Sequence, residues 1–155
     1  MSADVGTKAP DFTLKNQDMQ DVTLSAGFGQ HNTVLAFFPA AFTSVCTKEL
    51  CTLRDQLAQL NKANAQVYGL SVDTPFTLKV FGQQNGLTFP LLSDFNKDVI
   101  RAYGVYLDDL VGLKGVSKRA VFLIDKQGVV RHAEVTATPG NEPDYQKLNA
   151  AIAAL

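Results

Sequence analysis

The sequence predicts an α/β fold, a mixed central sheet flanked by helices. Short apolar runs rich in β-branched and aromatic residues alternate with segments whose leucines recur at spacings of three and four. Near the C-terminus, two apolar runs are joined only by Lys126-Gln127-Gly128, which reads as a β-hairpin. No repeat, low-complexity tract or linker interrupts the 155 residues, so a single domain over 1–155 is expected, large enough to bury a core.

The N-terminal segment through about Ser25 reads as extended and turn-rich, with Pro10 near its start. "NTVLAFFP" is an apolar run ended by Pro39 and reads as a fully buried strand. A helix follows from Thr43 or Ser44, both N-cap types, and Leu50, Leu53, Leu57 and Leu60 give it one apolar face. "AQVYGLSVD" is a second buried strand. "DTPFTLKVFGQQNG" is a helix with Thr74 as N-cap, Pro75 at the first helical position and Gly86 near its end. "FPLLSD" is a short strand, and "NKDVIRAYG" a short helix capped by Asn96 and stopped by Gly104. "RAVFLID" and "VVRHAEV" form the hairpin, and "PDYQKLNAAIAAL" closes the chain as a helix. Early strands alternating with helices imply a parallel core with right-handed crossovers. The hairpin adds antiparallel strands at one edge, which is the thioredoxin-like arrangement.

Composition removes several function classes. The chain is 46% hydrophobic and 19% charged, an ordinary globular balance. A net charge of −1 without a basic block argues against nucleic acid as a partner. No run of 18 apolar residues is present, so no membrane span is expected. The opening "MSADVGTKAPDF" lacks the basic-then-apolar plan of a signal peptide, so a cytoplasmic protein is expected. In a reducing compartment a close cysteine pair points to catalysis, redox sensing or metal binding before a structural staple.

Both cysteines lie in "FFPAAFTSVCTKELC", as Cys46 and Cys51. Cys46 continues the stripe of Leu50, Leu53, Leu57 and Leu60, so it reads at first as a small buried hydrophobe. Its place argues for more. It sits in the first turn of a helix, where free N–H groups and the dipole favour an anion such as a thiolate. A buried strand delivers that helix mouth, and in open α/β sheets pockets form at the carboxyl ends of strands.

"PAAFTSVC" matches Pro-x-x-x-Thr-x-x-Cys, and on this motif the chain resembles the peroxiredoxins. "VGTKAPDFTL", "GLTFPLLSDFNKDVIRAYGV" and "KRAVFLIDKQGVVRHAEV" resemble further family segments in the family's order, so the likeness covers nearly the whole chain. It implies a thiol peroxidase that reduces hydrogen peroxide and organic hydroperoxides. It also implies that Cys46 is the peroxidatic cysteine, oxidised to sulfenic acid, and that Thr43 hydrogen-bonds the peroxide and the thiolate. Pro39 would close the pocket, Arg119 would fix Thr43 and stabilise the anion, and Glu49 would support by orienting an arginine.

Physical chemistry says why sulfur alone is insufficient. A free thiol with a pKa of about 8.5 is already a few per cent thiolate at neutral pH. Full ionisation therefore gains only about tenfold to thirtyfold, roughly 1.5–2 kcal/mol. Lowering the pKa also blunts the nucleophile. The remaining acceleration must come from donors aimed at the peroxide oxygens as the O–O bond breaks. Thr43, Arg119 and the backbone N–H groups after Thr43 are the candidates. Taken singly, Thr43 also reads as a plain N-cap and Arg119 as a surface residue at a strand start.

On a continuous helix Cys51 would point about 140° from Cys46, with roughly 7.5 Å of rise between them. Bonding needs Cα atoms no more than about 7 Å apart and facing Cβ vectors, so the pair cannot close while the helix stands. The spacing is nevertheless that of the Q-type peroxiredoxins, the bacterioferritin comigratory group, whose second cysteine resolves the sulfenic acid before thioredoxin or a similar dithiol reduces the disulfide. The flanking sequence is closer to the AhpE type, whose members often use one cysteine, with Cys51 then inert. Relatives of the first type are often monomers and of the second often dimers, so monomer and homodimer both stay open.

Other readings fit less well. A zinc site would need more ligands than Cys46 and Cys51 offer, because the only histidines, His31 and His132, are distant in sequence and expected at the surface. Thiol–disulfide oxidoreductases want Cys-x-x-Cys. "GFGQ" and "GLKG" lack the dinucleotide fingerprint's context, so no cofactor or metal is expected. A redox-switched sensor or holdase using the same Cys46 chemistry is the non-enzymatic alternative.

Overall fold

The computed structural model of the chain describes residues 3–155. Met1 and Ser2, part of the stretch read above for a leader and of the expected single domain, lie outside the described residues. Asn16 sets the first turn: its Oδ1 accepts the Asp18 and Gln20 amides at 2.9 and 3.0 Å. That turn folds β1 (Thr13–Asn16) antiparallel onto β2 (Asp21–Thr23), a pairing where the sequence predicts only extended chain. Then follow β3 (Asn32–Phe37), α1 (Ser44–Asp55), α2 (Leu57–Lys62), β4 (Ala65–Ser71), α3 (Pro75–Gln84), β5 (Leu91–Ser93) and α4 (Asp98–Ala102). A two-stranded ribbon, β6 (Tyr106–Leu107) with β7 (Val116–Ser117), precedes β8 (Ala120–Ile124), β9 (Val130–Val135) and α5 (Tyr145–Ala153).

Seven strands form one sheet in the order β2-β1-β5-β4-β3-β8-β9. The β3–β4 and β4–β5 pairs are parallel, and β3–β8 and β8–β9 antiparallel, so the sheet is mixed with the C-terminal hairpin at one edge. Side chains alternate across it with a period of two. Val34, Ala36 and Phe38 face α1, α3 and α5 with Leu50, Leu53, Phe81 and Leu148. Leu35 and Phe37 face Val99, Ile100 and Tyr103 on the other side. At Gly69 in β4 the Leu91 side chain packs directly on the backbone: a Cβ there would stand 2.8 Å from Leu91 Cδ2, so Leu91 would have to shift.

Three local expectations are corrected. The leucine stripe from 50 to 60 is not one helix: at Gln56 (φ −94°, ψ 0°) the N–H is shared between the Leu53 and Thr52 carbonyls at 3.2 Å each, and the helix tightens and restarts as α2. Asn96 does not cap α4. Lys97 occupies that position in the left-handed region, and the buried Asp94 carboxylate accepts the Val99 and Ile100 amides at 3.2 and 2.7 Å. His132 is not a free surface residue: its Nε2 is buried and has no hydrogen-bond partner among the described residues. The Thr74 cap holds as expected, accepting the Thr77 amide at 3.3 Å. Among the described residues no helix is long and apolar enough to cross a membrane.

Candidate active site

The site lies where β3 ends. The Phe38 amide makes the last bond of the strand, to the Leu70 carbonyl at 2.9 Å, and Pro39, with no N–H to give, ends the ladder. The chain turns through Ala40–Thr43 and enters α1, whose first internal bond runs from the Thr47 amide to the Thr43 carbonyl at 2.9 Å. Thr43 holds the N-cap position without a side-chain cap bond, and its Oγ1 donates to the Ala40 carbonyl at 2.9 Å. The amides of the first turn thus stay free of intrahelical partners. Cys46, in that turn, is fully buried against Leu50 and Leu53.

Arg119 reaches the same point from β8. Because β8 runs antiparallel to β3 with Phe37 opposite Ala120, the residue preceding β8 falls beside the turn that follows β3. Arg119 is only 2% exposed, which excludes the surface reading. Its guanidinium is used on three sides. Nε donates to the Pro139 carbonyl at 2.9 Å, Nη1 to Glu49 Oε1 at 3.1 Å, and Nη2 to the Cys46 sulfur at 3.0 Å. Arg119 makes no bond to Thr43, contrary to the expected fixing of that residue.

Glu49 is wholly buried, and among the described residues its Oε2 finds no hydrogen-bond partner. Burial pushes its carboxyl up to about 8, against the opposing pull of the Arg119 charge. Burial acts to lower the Arg119 pKa, but Glu49 and Cys46 outweigh it and hold the guanidinium above its ordinary value. Within the pair the raised Glu49 carboxyl is in keeping with its buried, unsatisfied Oε2.

A cavity of about 290 Å³ adjoins Cys46, lined by Pro39, Thr43, Val45, Cys46, Arg119 and Pro139, with Leu110 and Val111 at the wall. A larger cavity of about 550 Å³ lies near Asn32 and Asp125, at the other end of β3, and no cysteine lines it. The structure brings Pro39, Thr43, Cys46, Glu49 and Arg119 together. Cys51 stands apart: it is half-buried, and its Sγ lies 3.9 Å from Asn85 Oδ1, beyond the end of α3. Sequence reasoning missed Pro139, Leu110 and Val111. The Pro139-Gly140 turn signal was visible; for Leu110 and Val111 no sequence signal exists.

Fold and site are those of a thiol peroxidase, an oxidoreductase built on the thioredoxin-like fold with a cysteine at a helix mouth. The chain belongs to the AhpC/TSA family, the peroxiredoxins, whose model matches residues 5–133. It is 42% identical over 153 residues to alkyl hydroperoxide reductase E of Mycobacterium tuberculosis, covering 97% of each chain. Among solved structures it is similar to peroxidoxin BcpB of Mycobacterium tuberculosis, with a TM-score of 0.86, 30% identity and 97% of each chain covered. It is also similar to a peroxiredoxin-like protein of Aquifex aeolicus, with a TM-score of 0.90, 26% identity, and 99% and 88% coverage. Membership defines a peroxide as the oxidising substrate and a thiol as the reductant.

Proposed function

We propose that Cys46 is the reacting sulfur of this thiol peroxidase and that its cycle passes through a Cys46–Cys51 disulfide reduced by thioredoxin or a similar dithiol. One observation carries the role of Cys46: a buried guanidinium donates to its sulfur at 3.0 Å beside a cavity that both residues line. In the first step the Cys46 thiolate attacks the terminal oxygen of a hydroperoxide. An S–O bond forms, the O–O bond breaks, the sulfenic acid keeps the hydroxyl proton, and alkoxide or hydroxide leaves and is protonated by water. Arg119 donates to sulfur and to the departing oxygen, while Thr43 releases Ala40 and donates to the peroxide. Pro39 shields the sulfenic acid, and Glu49 orients Arg119. The apolar wall of Val45, Leu110, Val111 and Pro139 suits organic hydroperoxides as well as hydrogen peroxide.

In the second step the Cys51 thiol displaces water from the sulfenic acid. Unwinding of α1 is required, and two features favour it: the helix lacks a side-chain N-cap bond, and its first turn carries no acidic residue. The domain works as one unit in the cytoplasm on this reading. A second reading leaves Cys51 inert, with an external thiol attacking the sulfenic acid directly. It is favoured by the unbroken helix from Ser44 to Asp55 and by the packing of Cys51 near Asn85. The test of the shared first step is Cys46→Ser, which is expected to abolish peroxide consumption; retained turnover would remove Cys46 from the reaction.

A further inference from the structure

The turn that carries the active site is tied to a residue outside the Pro-x-x-x-Thr-x-x-Cys motif. The Ala41 amide donates to Asp73 Oδ2 at 2.8 Å, a link across 32 residues of sequence. Asp73 is itself held from several directions. Its Oδ2 also accepts the Ser71 hydroxyl at 2.7 Å, and its own amide donates to Ser71 Oγ at 3.2 Å. Its carbonyl accepts the Ser93 hydroxyl at 2.6 Å. Asp73 therefore stands on the ends of β4 and β5 and reaches sideways to the turn after β3. Parallel pairing of β3 with β4 places those strand ends side by side.

The turn needs such a hold. Phe42, next to Ala41, lies in the left-handed region at φ 68°, where a bulky residue stays only if its surroundings fix it. Its ring packs edge-on against Phe81 at 5.2 Å between centroids but remains 51% exposed, so that contact is partial. Asp73 and Phe81 thus bracket the strained residue. On its two sides lie Pro39, which walls the cavity, and Thr43, which begins α1.

We propose that Asp73 is a positioning residue for peroxide reduction, its carboxylate fixing the Pro39–Thr43 turn, and with it the donors around the peroxide, through the Ala41 amide. Asp73 has no bond to the Cys46 sulfur; it acts through the turn. The proposal rests on Cys46 being the reacting sulfur.

The test compares Asp73→Ala and Asp73→Asn with the unaltered protein by stopped-flow oxidation of Cys46 across pH, with iodoacetamide alkylation of Cys46 measured in parallel. Alkylation needs the thiolate but not the aligned donors. Asp73→Ala is expected to lower the high-pH plateau of peroxide oxidation roughly tenfold to hundredfold, the scale of a misplacement of about 1 Å. The midpoint of the profile and the alkylation rate should stay unchanged. Asp73→Asn, whose Oδ1 still accepts an amide, should recover most of the rate. Asp73→Ser, too short to reach Ala41, is measured alongside in case Asp73→Ala does not fold, and should show the same selective fall. An unchanged plateau overturns the proposal, as do equal falls in oxidation and alkylation. So does an Asp73→Asn protein as slow as Asp73→Ala at the same melting temperature. If the unaltered protein itself shows no Cys46-dependent peroxide consumption, the reading beneath the proposal fails with it.

Discussion

Arg119 donates to the Cys46 sulfur at 3.0 Å although 73 residues separate them in the chain. The contact exists because β8 is antiparallel to β3 and starts where β3 ends. The same guanidinium is anchored behind the sulfur by Pro139 and Glu49, so its position is fixed before any peroxide enters.

A pre-set donor acts on the transition state as well as on the thiolate. Arg119→Ala is therefore expected to slow Cys46 oxidation by roughly 10²–10³-fold, the effect of removing one aligned donor. Stopped-flow oxidation across pH is the check. The deficit should persist at pH values where the thiol is fully ionised; its disappearance there would reduce Arg119 to an aid to ionisation.

Glu49 gives a pH-dependent stability. Burial raises its folded pKa to about 8 from the ordinary 4.5, with Arg119 opposing the rise and Glu142 adding to it. The folded state therefore holds a proton that the unfolded state has released between these values. This contribution is fully present below the unfolded pKa and is lost as pH rises through the folded one. Thermal melts of the unaltered protein should thus fall from pH 5 to pH 9 more steeply than those of Glu49→Gln, which has no proton to lose. Parallel curves for the two proteins would show that Glu49 stays ionised beside Arg119.

Helix α1 should open on disulfide formation. Cys46 would leave its fully buried site against Leu50 and Leu53, uncovering both. Hydrogen exchange across residues 43–55 is expected to rise in the disulfide form, with a drop in far-UV helical signal. Equal protection in both forms, with the Cys46–Cys51 bond confirmed by mass, would contradict this coupling.

Much of this site was legible in the sequence because it is local. Pro39, Thr43 and Cys46 lie within eight residues, and the strand-to-helix passage that places them is written in "FFPAAFTS". The burial of Cys46 followed from its stripe with Leu50 and Leu53. What was not legible depends on register and on side-chain choice. The hairpin that carries Arg119 could be read, but not that Ala120 would stand opposite Phe37. The Thr43 hydroxyl turned to Ala40, and the Asp94 carboxylate rather than Asn96 took the first amides of α4; both choices are local, but several nearby groups compete for each bond and the sequence does not rank them. The β1–β2 pairing was hidden as well: Thr13 and Leu14 show little apolar alternation to announce a strand, and the pairing is set by Asn16 and by contact with β5.

In the proposed cycle Cys46 takes the peroxide oxygen and Cys51 removes it. Intact mass after one equivalent of peroxide tests it most directly, on the unaltered protein and on Cys51→Ser. Loss of two hydrogens is expected in the unaltered protein, and gain of one oxygen, confined to Cys46, in Cys51→Ser. Gain of one oxygen in the unaltered protein as well, with no disulfide formed, would contradict it and leave Cys51 outside the cycle.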